Sequence, residues 1–182
     1  MKVIFLDRDG VINEYPGDFK YVTHWSEFKF VPGSLEALKK LTDSGFDIFV
    51  ISNQAGVSEG IYPAENLKDI TSRMLKEVSK NKARIKEVFY CTHTAQENCD
   101  CRKPKAGLIK KALESVGAKN IDLNSTYFIG DSIRDVQTGK GLGFKTILVL
   151  SGKEKLENMS NWQEKPDYIT GNLKEAVEIV LK

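Results

Sequence analysis

The chain has 182 residues, of which 41% are hydrophobic and 29% charged, a composition that favours a packed domain over a disordered chain. Its 27 basic and 25 acidic residues leave a formal net charge of +2, which argues against a strongly electropositive nucleic-acid binder. No apolar run approaches the roughly 20 residues of a membrane span, and the apolar start ends at Asp7, too early for a signal peptide.

Short apolar runs alternate with amphipathic patterns along the chain. The runs are rich in Val, Ile and Phe without period-two alternation, which predicts buried strands at 3–6, 46–51, 88–90, 126–129 and 146–150. Apolar residues at helical spacing predict helices near 35–41, 63–78, 108–116 and 173–181. We therefore expect one α/β domain over residues 1–182, built on a doubly wound, Rossmann-like parallel sheet whose ligands bind at the carboxyl ends of the strands.

Two carboxylates, Asp7 and Asp9, follow the first predicted strand directly, and Gly10 then permits a sharp turn. Residues two apart point to the same side of an extended chain, so the two acids can share one site. Close carboxylates repel each other unless a cation lies between them or one of them is protonated. Such a pair can supply a nucleophile and a general acid and base, although acids after a strand are often merely solvated.

Polar residues also follow the next three predicted strands. The hydroxyl of Ser52 can hold a phosphate oxygen, and Lys103 can bring positive charge to a phosphoryl group. Asp131 offers a carboxylate to a hard cation such as Mg²⁺, while Asp135 either contacts the metal or only favours the first turn of a helix. Each residue alone is unremarkable, but acid, hydroxyl, lysine and acid occur here in chain order at four strand ends.

The cysteines form a separate group, because all three lie within residues 91–101. An odd, local set disfavours a disulfide framework and favours a cytoplasmic protein with a metal loop. With one histidine they match the four ligands of a closed tetrahedral zinc site: Cys91, His93, Cys99 and Cys101. Free cysteines prefer apolar surroundings, whereas this segment is polar. We predict a structural zinc that orders the loop presenting Arg102 and Lys103.

The four strand-end motifs resemble those of the haloacid dehalogenase superfamily of phosphohydrolases; they are residues 7–11, 52–54, 103–104 and 130–135. The resemblance implies that Asp7 is a nucleophile forming an aspartyl-phosphate and that Asp9 is the general acid and base. It implies that Ser52 and Lys103 orient and neutralise the phosphoryl group. It also implies a catalytic Mg²⁺ held by Asp7, the backbone carbonyl of Asp9 and Asp131.

The cysteine loop, followed by Arg102, resembles the histidinol-phosphatase-related branch of that superfamily. The branch includes heptose-bisphosphate phosphatases, so the resemblance implies removal of the 7-phosphate of D-glycero-D-manno-heptose 1,7-bisphosphate. Histidinol phosphate or another small sugar phosphate is the alternative substrate. Asn53, Gln54 and Arg102 are then expected to bind substrate. Glu59 departs from the pattern of the heptose enzymes, which commonly carry arginine at this place. Either Arg102 alone attracts a second phosphate, or the natural substrate is not the heptose bisphosphate.

The segments after the first two predicted strands leave no room for a large cap domain, so we expect an open site. Residues 11–30 form an aromatic-rich loop that either lines the pocket or packs as a satellite core. A nucleic-acid end-processing phosphatase is a rival, disfavoured by the low charge and the lack of a basic, aromatic stripe. A catalytically inactive zinc module is disfavoured because no catalytic residue is missing. We expect a monomeric, cytoplasmic enzyme for a small phosphorylated metabolite, with no nucleic-acid or membrane partner.

Overall fold

The computed structural model of the chain describes residues 1–117 and 121–182. Six strands form its sheet: β1 (Val3–Leu6), β2 (Asp47–Asn53), β3 (Glu87–Cys91), β4 (Tyr127–Gly130), β5 (Lys145–Val149) and β6 (Tyr168–Thr170). Every pairing is parallel, and the strand order is β3-β2-β1-β4-β5-β6. The order reverses at β1, so the carboxyl ends of β1 and its two neighbours border one crevice, where open α/β sheets bind their ligands.

Helices cover both faces of the sheet. They are α1 (Ser34–Asp43), α2 (Ala64–Lys80), α3 (Gly107–Ser115), α4 (Ile133–Gly141) and α5 (Leu173–Val180), with short 3-10 helices at Trp25–Glu27, Leu123–Ser125 and Leu156–Asn161. Alternate strand residues serve opposite faces: Ile4 packs in a cluster with α1, α2 and α5, whereas Phe5 packs in a cluster with α3. The doubly wound, Rossmann-like prediction is confirmed, and its physical basis is that both strand faces are buried.

The sequence patterns located most elements but missed two. Strand β6 has only three residues and lies largely exposed at the edge of the sheet, so no apolar run marks it. Helix α4 contains Gly139 and Gly141, which dilute the apolar periodicity. In the described chain, a 3-10 helix stands between β1 and α1, and α2 alone lies between β2 and β3, so the prediction of no large cap is confirmed. None of the described helices has the length and apolarity needed to span a membrane.

Candidate active site

Three carboxylates converge at the carboxyl ends of β1 and β4. Carboxyl oxygens of Asp7, Asp131 and Asp135 lie within 4.8 Å of one another, and all three residues are buried. Gly10 makes this approach feasible: its φ is +79°, and a Cβ atom there would lie 2.2 Å from Asp131 Oδ2. A side chain at position 10 would therefore displace Asp131 as well as strain the backbone.

Lys103 reaches this group from the loop after β3 and is only 3% exposed. Its Nζ atom lies 2.8 Å from Asp7 Oδ2 and 2.6 Å from Asp135 Oδ1. Asp135 also accepts hydrogen bonds from the backbone and the hydroxyl of Ser132 at the start of α4. Burial lowers the pKa of Lys103, but the two carboxylates outweigh it and raise that pKa above its usual value. Asp135 thus contacts Lys103 directly, and it also belongs to the carboxylate cluster.

The buried carboxylates have the character of a cation site. Burial raises the pKa of Asp7 to about 6, with Lys103 lowering and Asp135 raising it. Burial, together with repulsion from Asp7 and Asp135, raises the pKa of Asp131 well above its usual value. A divalent cation between Asp7 and Asp131 would offset both the burial and the repulsion. Carboxylate oxygens are the ligands Mg²⁺ prefers, so these residues fit that ion.

Asp9 is held by three side chains. Arg8 Nη2 donates to Oδ1 and Oδ2 of Asp9 at 2.9 and 3.0 Å, and Asn13 Nδ2 donates to Oδ1 at 2.8 Å. Gln54 Nε2 donates to Oδ2 at 2.7 Å, while Tyr62 donates to Gln54 Oε1 at 2.7 Å. Gln54 is fully buried and lies behind Asp9, so the contacts it makes in this structure are internal. Its contact with substrate stays a prediction. A buried amide needs internal partners, and Asp9 and Tyr62 provide them.

Arg8 was not among the predicted site residues. Its side chain is completely buried, and its guanidinium carbon lies 5.7 Å from the centre of the Tyr90 ring. A buried guanidinium needs a carboxylate partner, and Asp9 supplies one. The available sequence signal was a charged residue between two acids at the end of a buried strand.

The predicted zinc ligands lie together at the end of β3 and in the loop after it; they are Cys91, His93, Cys99 and Cys101. The three sulfur atoms are 3.2, 3.4 and 3.6 Å apart. His93 Nδ1 is 3.2 Å from Cys101 Sγ and 3.7 Å from Cys91 Sγ. Zn–S bonds of about 2.3 Å in a tetrahedron separate sulfurs by roughly 3.8 Å, so this donor set fits zinc after a small expansion.

The cysteine cluster is hydrogen-bonded to the segment that carries Arg102 and Lys103. Arg102 Nη1 donates to the carbonyl oxygen of His93 at 3.1 Å. Asn53 holds Lys103 through two hydrogen bonds: the Lys103 N–H donates to Asn53 Oδ1 at 3.1 Å, and Asn53 Nδ2 donates to the Lys103 carbonyl at 3.2 Å. The structure therefore gives Asn53 a contact with the backbone of Lys103 in addition to its place on the cavity wall.

A cavity of about 690 Å³ opens above these groups, within the usual size range of ligand pockets. The predicted residues on its wall are Asp7, Asp9, Ser52, Asn53, Arg102, Lys103 and Asp131. Glu59 also lines the cavity and accepts a hydrogen bond from the Tyr21 hydroxyl at 3.1 Å. Three further basic residues lie on the wall, namely Lys20, Arg134 and Lys153, so Arg102 is not the only added positive charge on this wall.

The aromatic residues of the loop 11–30 fall into two groups: some pack in the interior and others line the cavity. Trp25 and Phe28 stack with their ring centres 5.0 Å apart, and Phe28 is 7% exposed in the core. Tyr15, Phe19 and Tyr21 instead line the cavity. The later part of the loop therefore packs into the main core rather than into a separate satellite core, and the earlier rings line the cavity.

Comparison with known proteins places this arrangement among phosphatases. The HAD-hydrolase-like family matches residues 100–176. D-glycero-β-D-manno-heptose-1,7-bisphosphate 7-phosphatase of Neisseria meningitidis is 37% identical over 169 residues, which are 92% of this chain and 87% of that protein. The corresponding α-anomer phosphatase of Campylobacter jejuni is 34% identical over 154 residues, 85% of each chain. The crystal structure of D,D-heptose 1,7-bisphosphate phosphatase from B. bronchiseptica, complexed with magnesium and phosphate, is 28% identical with a TM-score of 0.88 and covers 100% of this chain and 98% of that one.

Proposed function

Because this chain belongs to the haloacid dehalogenase superfamily and is a phosphoric monoester hydrolase, we propose that it removes the 7-phosphate of a D-glycero-D-manno-heptose 1,7-bisphosphate. The observation that carries the proposal is the placement of Asp7 in the cavity, with Lys103 at 2.8 Å and Asp131 in the same carboxylate cluster. The relatives' substrate supports the sugar, and the basic residues of the wall suit a second phosphate.

The proposed reaction has two steps. In the first, a carboxylate oxygen of Asp7 attacks the phosphorus, the bond to the sugar oxygen breaks, and Asp9 gives that oxygen a proton. In the second, Asp9 takes a proton from water, whose oxygen attacks the aspartyl-phosphate and releases inorganic phosphate and the Asp7 carboxylate. Ser52 and Lys103 would hold and neutralise the phosphoryl oxygens, because positioning and charge supply most of the catalysis in such transfers.

Asp9 must face two different partners in this scheme, the leaving oxygen and then water. Its three donors, Arg8, Asn13 and Gln54, would fix its direction between these partners. When bound by Asp7, Asp131 and the carbonyl of Asp9, Mg²⁺ would reduce the repulsion between Asp7 and the phosphate dianion. The magnesium and phosphate in the structurally similar B. bronchiseptica enzyme support this ion.

A substrate comparison tests the proposal. We expect kcat/KM for the α- or β-anomer of the heptose bisphosphate to exceed that for histidinol phosphate and for simple sugar monophosphates by at least about 100-fold, because the latter lack the second phosphate. Phosphate release is measured for all four substrates under the same Mg²⁺ concentration. Equal rates on the heptose bisphosphates and a simple sugar phosphate would contradict the assignment. A preference for histidinol phosphate would favour the alternative substrate.

We propose that zinc bound by the Cys₃His cluster orders the loop carrying Arg102 and Lys103. Replacing His93 with alanine removes one ligand. We expect loss of bound zinc, a lower melting temperature, and a fall in kcat/KM on the order of 10- to 100-fold, because the two basic residues lose their fixed positions. Zinc content, thermal unfolding and phosphate release are measured on the same preparation.

The matched control is His24→Ala, since the chain has two histidines and His24 is exposed. This control should keep its zinc and its activity. Full activity in a preparation shown to be free of zinc would contradict the proposed role. The cluster needs reduced thiols, which supports the proposal that the enzyme works in the cytoplasm. We also propose that it is a one-domain monomer that acts on a small metabolite.

A further inference from the structure

Phe19 is the aromatic residue that the fold leaves without a packing role. Its side chain is 100% exposed, although it belongs to a loop whose neighbouring rings Trp25 and Phe28 are packed together. Full exposure of a large apolar side chain gains nothing for folding, because no apolar surface leaves water. The whole ring of Phe19 is therefore available for contact with something that the chain binds.

The backbone supports the same conclusion. Phe19 has a φ of +59°, in the left-handed region that bulky residues rarely adopt. Neither burial nor a contact of its own ring offsets this unfavourable conformation in the folded chain. Backbone strain of this kind is typical of positions where function imposes the conformation.

Residues on both sides of Phe19 in the loop make side-chain contacts with other parts of the chain or with each other. On one side, the Tyr15 hydroxyl donates to Asp18 Oδ1 at 2.6 Å, and Lys153 Nζ lies 3.7 Å from the same oxygen. On the other side, the Tyr21 hydroxyl donates to Glu59 at 3.1 Å. The residues that make these contacts all line the cavity, so Phe19 is held at the cavity by hydrogen-bonded neighbours.

Phe19 lines the same cavity as Asp7, the proposed nucleophile, and Lys103, the proposed phosphate-binding residue. Basic side chains on that wall, including Arg102 and Arg134, can bind the phosphates of a sugar ester but offer little to its carbon skeleton. A flat aromatic face suits the C–H groups of a sugar, and large rigid rings supply contact area at low entropic cost.

We propose that Phe19 contacts the carbon skeleton of the phosphorylated sugar and so contributes to substrate selection in a site that has no large cap. The inference rests on the proposed function and deepens it, since it assigns a residue that distinguishes a sugar phosphate from a phosphorylated compound without a sugar. Phe19 is a binding residue in this assignment and takes no part in the chemical steps.

The test compares Phe19→Ala and Phe19→Trp with the wild type on two substrates, the heptose bisphosphate and acetyl phosphate, which has no sugar. We expect Phe19→Ala to raise KM for the sugar about 10-fold more than KM for acetyl phosphate, and Phe19→Trp to stay within about threefold of the wild type. Leu181→Ala is the control, because Leu181 is also exposed but lies beside Lys2, at the opposite end of the sheet.

Thermal unfolding separates binding from folding. The melting temperature of Phe19→Ala should equal or exceed that of the wild type, because the ring buries no surface and its removal loses no packing. Equal sugar KM values in Phe19→Ala and wild type, or equal losses on both substrates, would overturn the inference while the proposed function stands. If the wild type prefers another sugar phosphate, that substrate is used in the comparison. Failure to hydrolyse any sugar phosphate would reject both.

Discussion

Asp7→Asn is expected to reduce phosphate release to below about 10⁻⁴ of the wild-type rate. An amide of nearly the same shape cannot form the aspartyl-phosphate, and it removes one of the two carboxylates proposed to hold Mg²⁺. The measurement is steady-state phosphate release from the heptose bisphosphate with excess Mg²⁺. Retention of more than about 1% of the activity would contradict the role of Asp7 as nucleophile.

The same variant has a defined effect on stability. Burial raises the pKa of Asp7 from 3.8 to about 6, so its ionised form is less favourable in the folded than in the unfolded metal-free chain. The contribution of Asp7 to the free energy of unfolding therefore falls as pH rises from about 4 to about 6. We expect Mg²⁺ to raise the melting temperature of the wild type, and we expect Asp7→Asn to abolish that increase and to remove this pH dependence. Unchanged stabilisation by Mg²⁺ would show that the ion binds without Asp7.

Lys103→Met is expected to impair both folding and catalysis. Lys103 lies between Asp7 and Asp135, at 2.8 and 2.6 Å, and its loss leaves two buried carboxylates without their cation. Breaking a buried ion pair from one side typically costs about 3–5 kcal/mol, which corresponds to a fall in melting temperature on the order of 10 °C for a domain of this size. We also expect kcat/KM to fall about 10³-fold, because the phosphoryl group loses the positive charge that Lys103 is proposed to supply.

Lys111→Met is the matched control for this experiment, since Lys111 is an exposed lysine on α3. It should leave both the melting temperature and the activity unchanged. A Lys103→Met variant that melts at the wild-type temperature would show that Asp7 and Asp135 do not depend on the ammonium group. Wild-type kcat/KM in that variant would contradict the contact between Lys103 and the phosphoryl group.

The features that could be predicted from the sequence are those determined by neighbouring residues. Uninterrupted apolar runs such as residues 3–6 predicted strands buried on both faces, and the chain order of polar residues after the runs predicted one crevice. The cysteine ligands lie within eleven residues of one another, so their grouping was visible as spacing. Strand β6 was missed because an exposed edge strand has no such pattern.

The partners of each catalytic side chain depend on the tertiary structure. Gln54 is 45 residues from Asp9, yet it donates to that carboxylate because β2 lies beside β1. In the sequence, Gln54 was indistinguishable from a substrate-binding residue. The same limit applied to Arg8, whose burial against Tyr90 depends on β3. It also applied to Asp135, whose contact with Lys103 joins the first turn of α4 to the loop after β3.

The sequence by itself determined the α/β alternation, the carboxylates after β1 and the local group of three cysteines and His93 proposed to bind zinc, because each depends on periodicity or short spacing. Only the tertiary structure decided that Gln54 supports Asp9, that Lys103 joins Asp7 to Asp135, and that Phe19 stands exposed on the cavity wall. The sheet order β3-β2-β1-β4 brings distant strand ends to one crevice, and the contacts made there are set by that order and by burial.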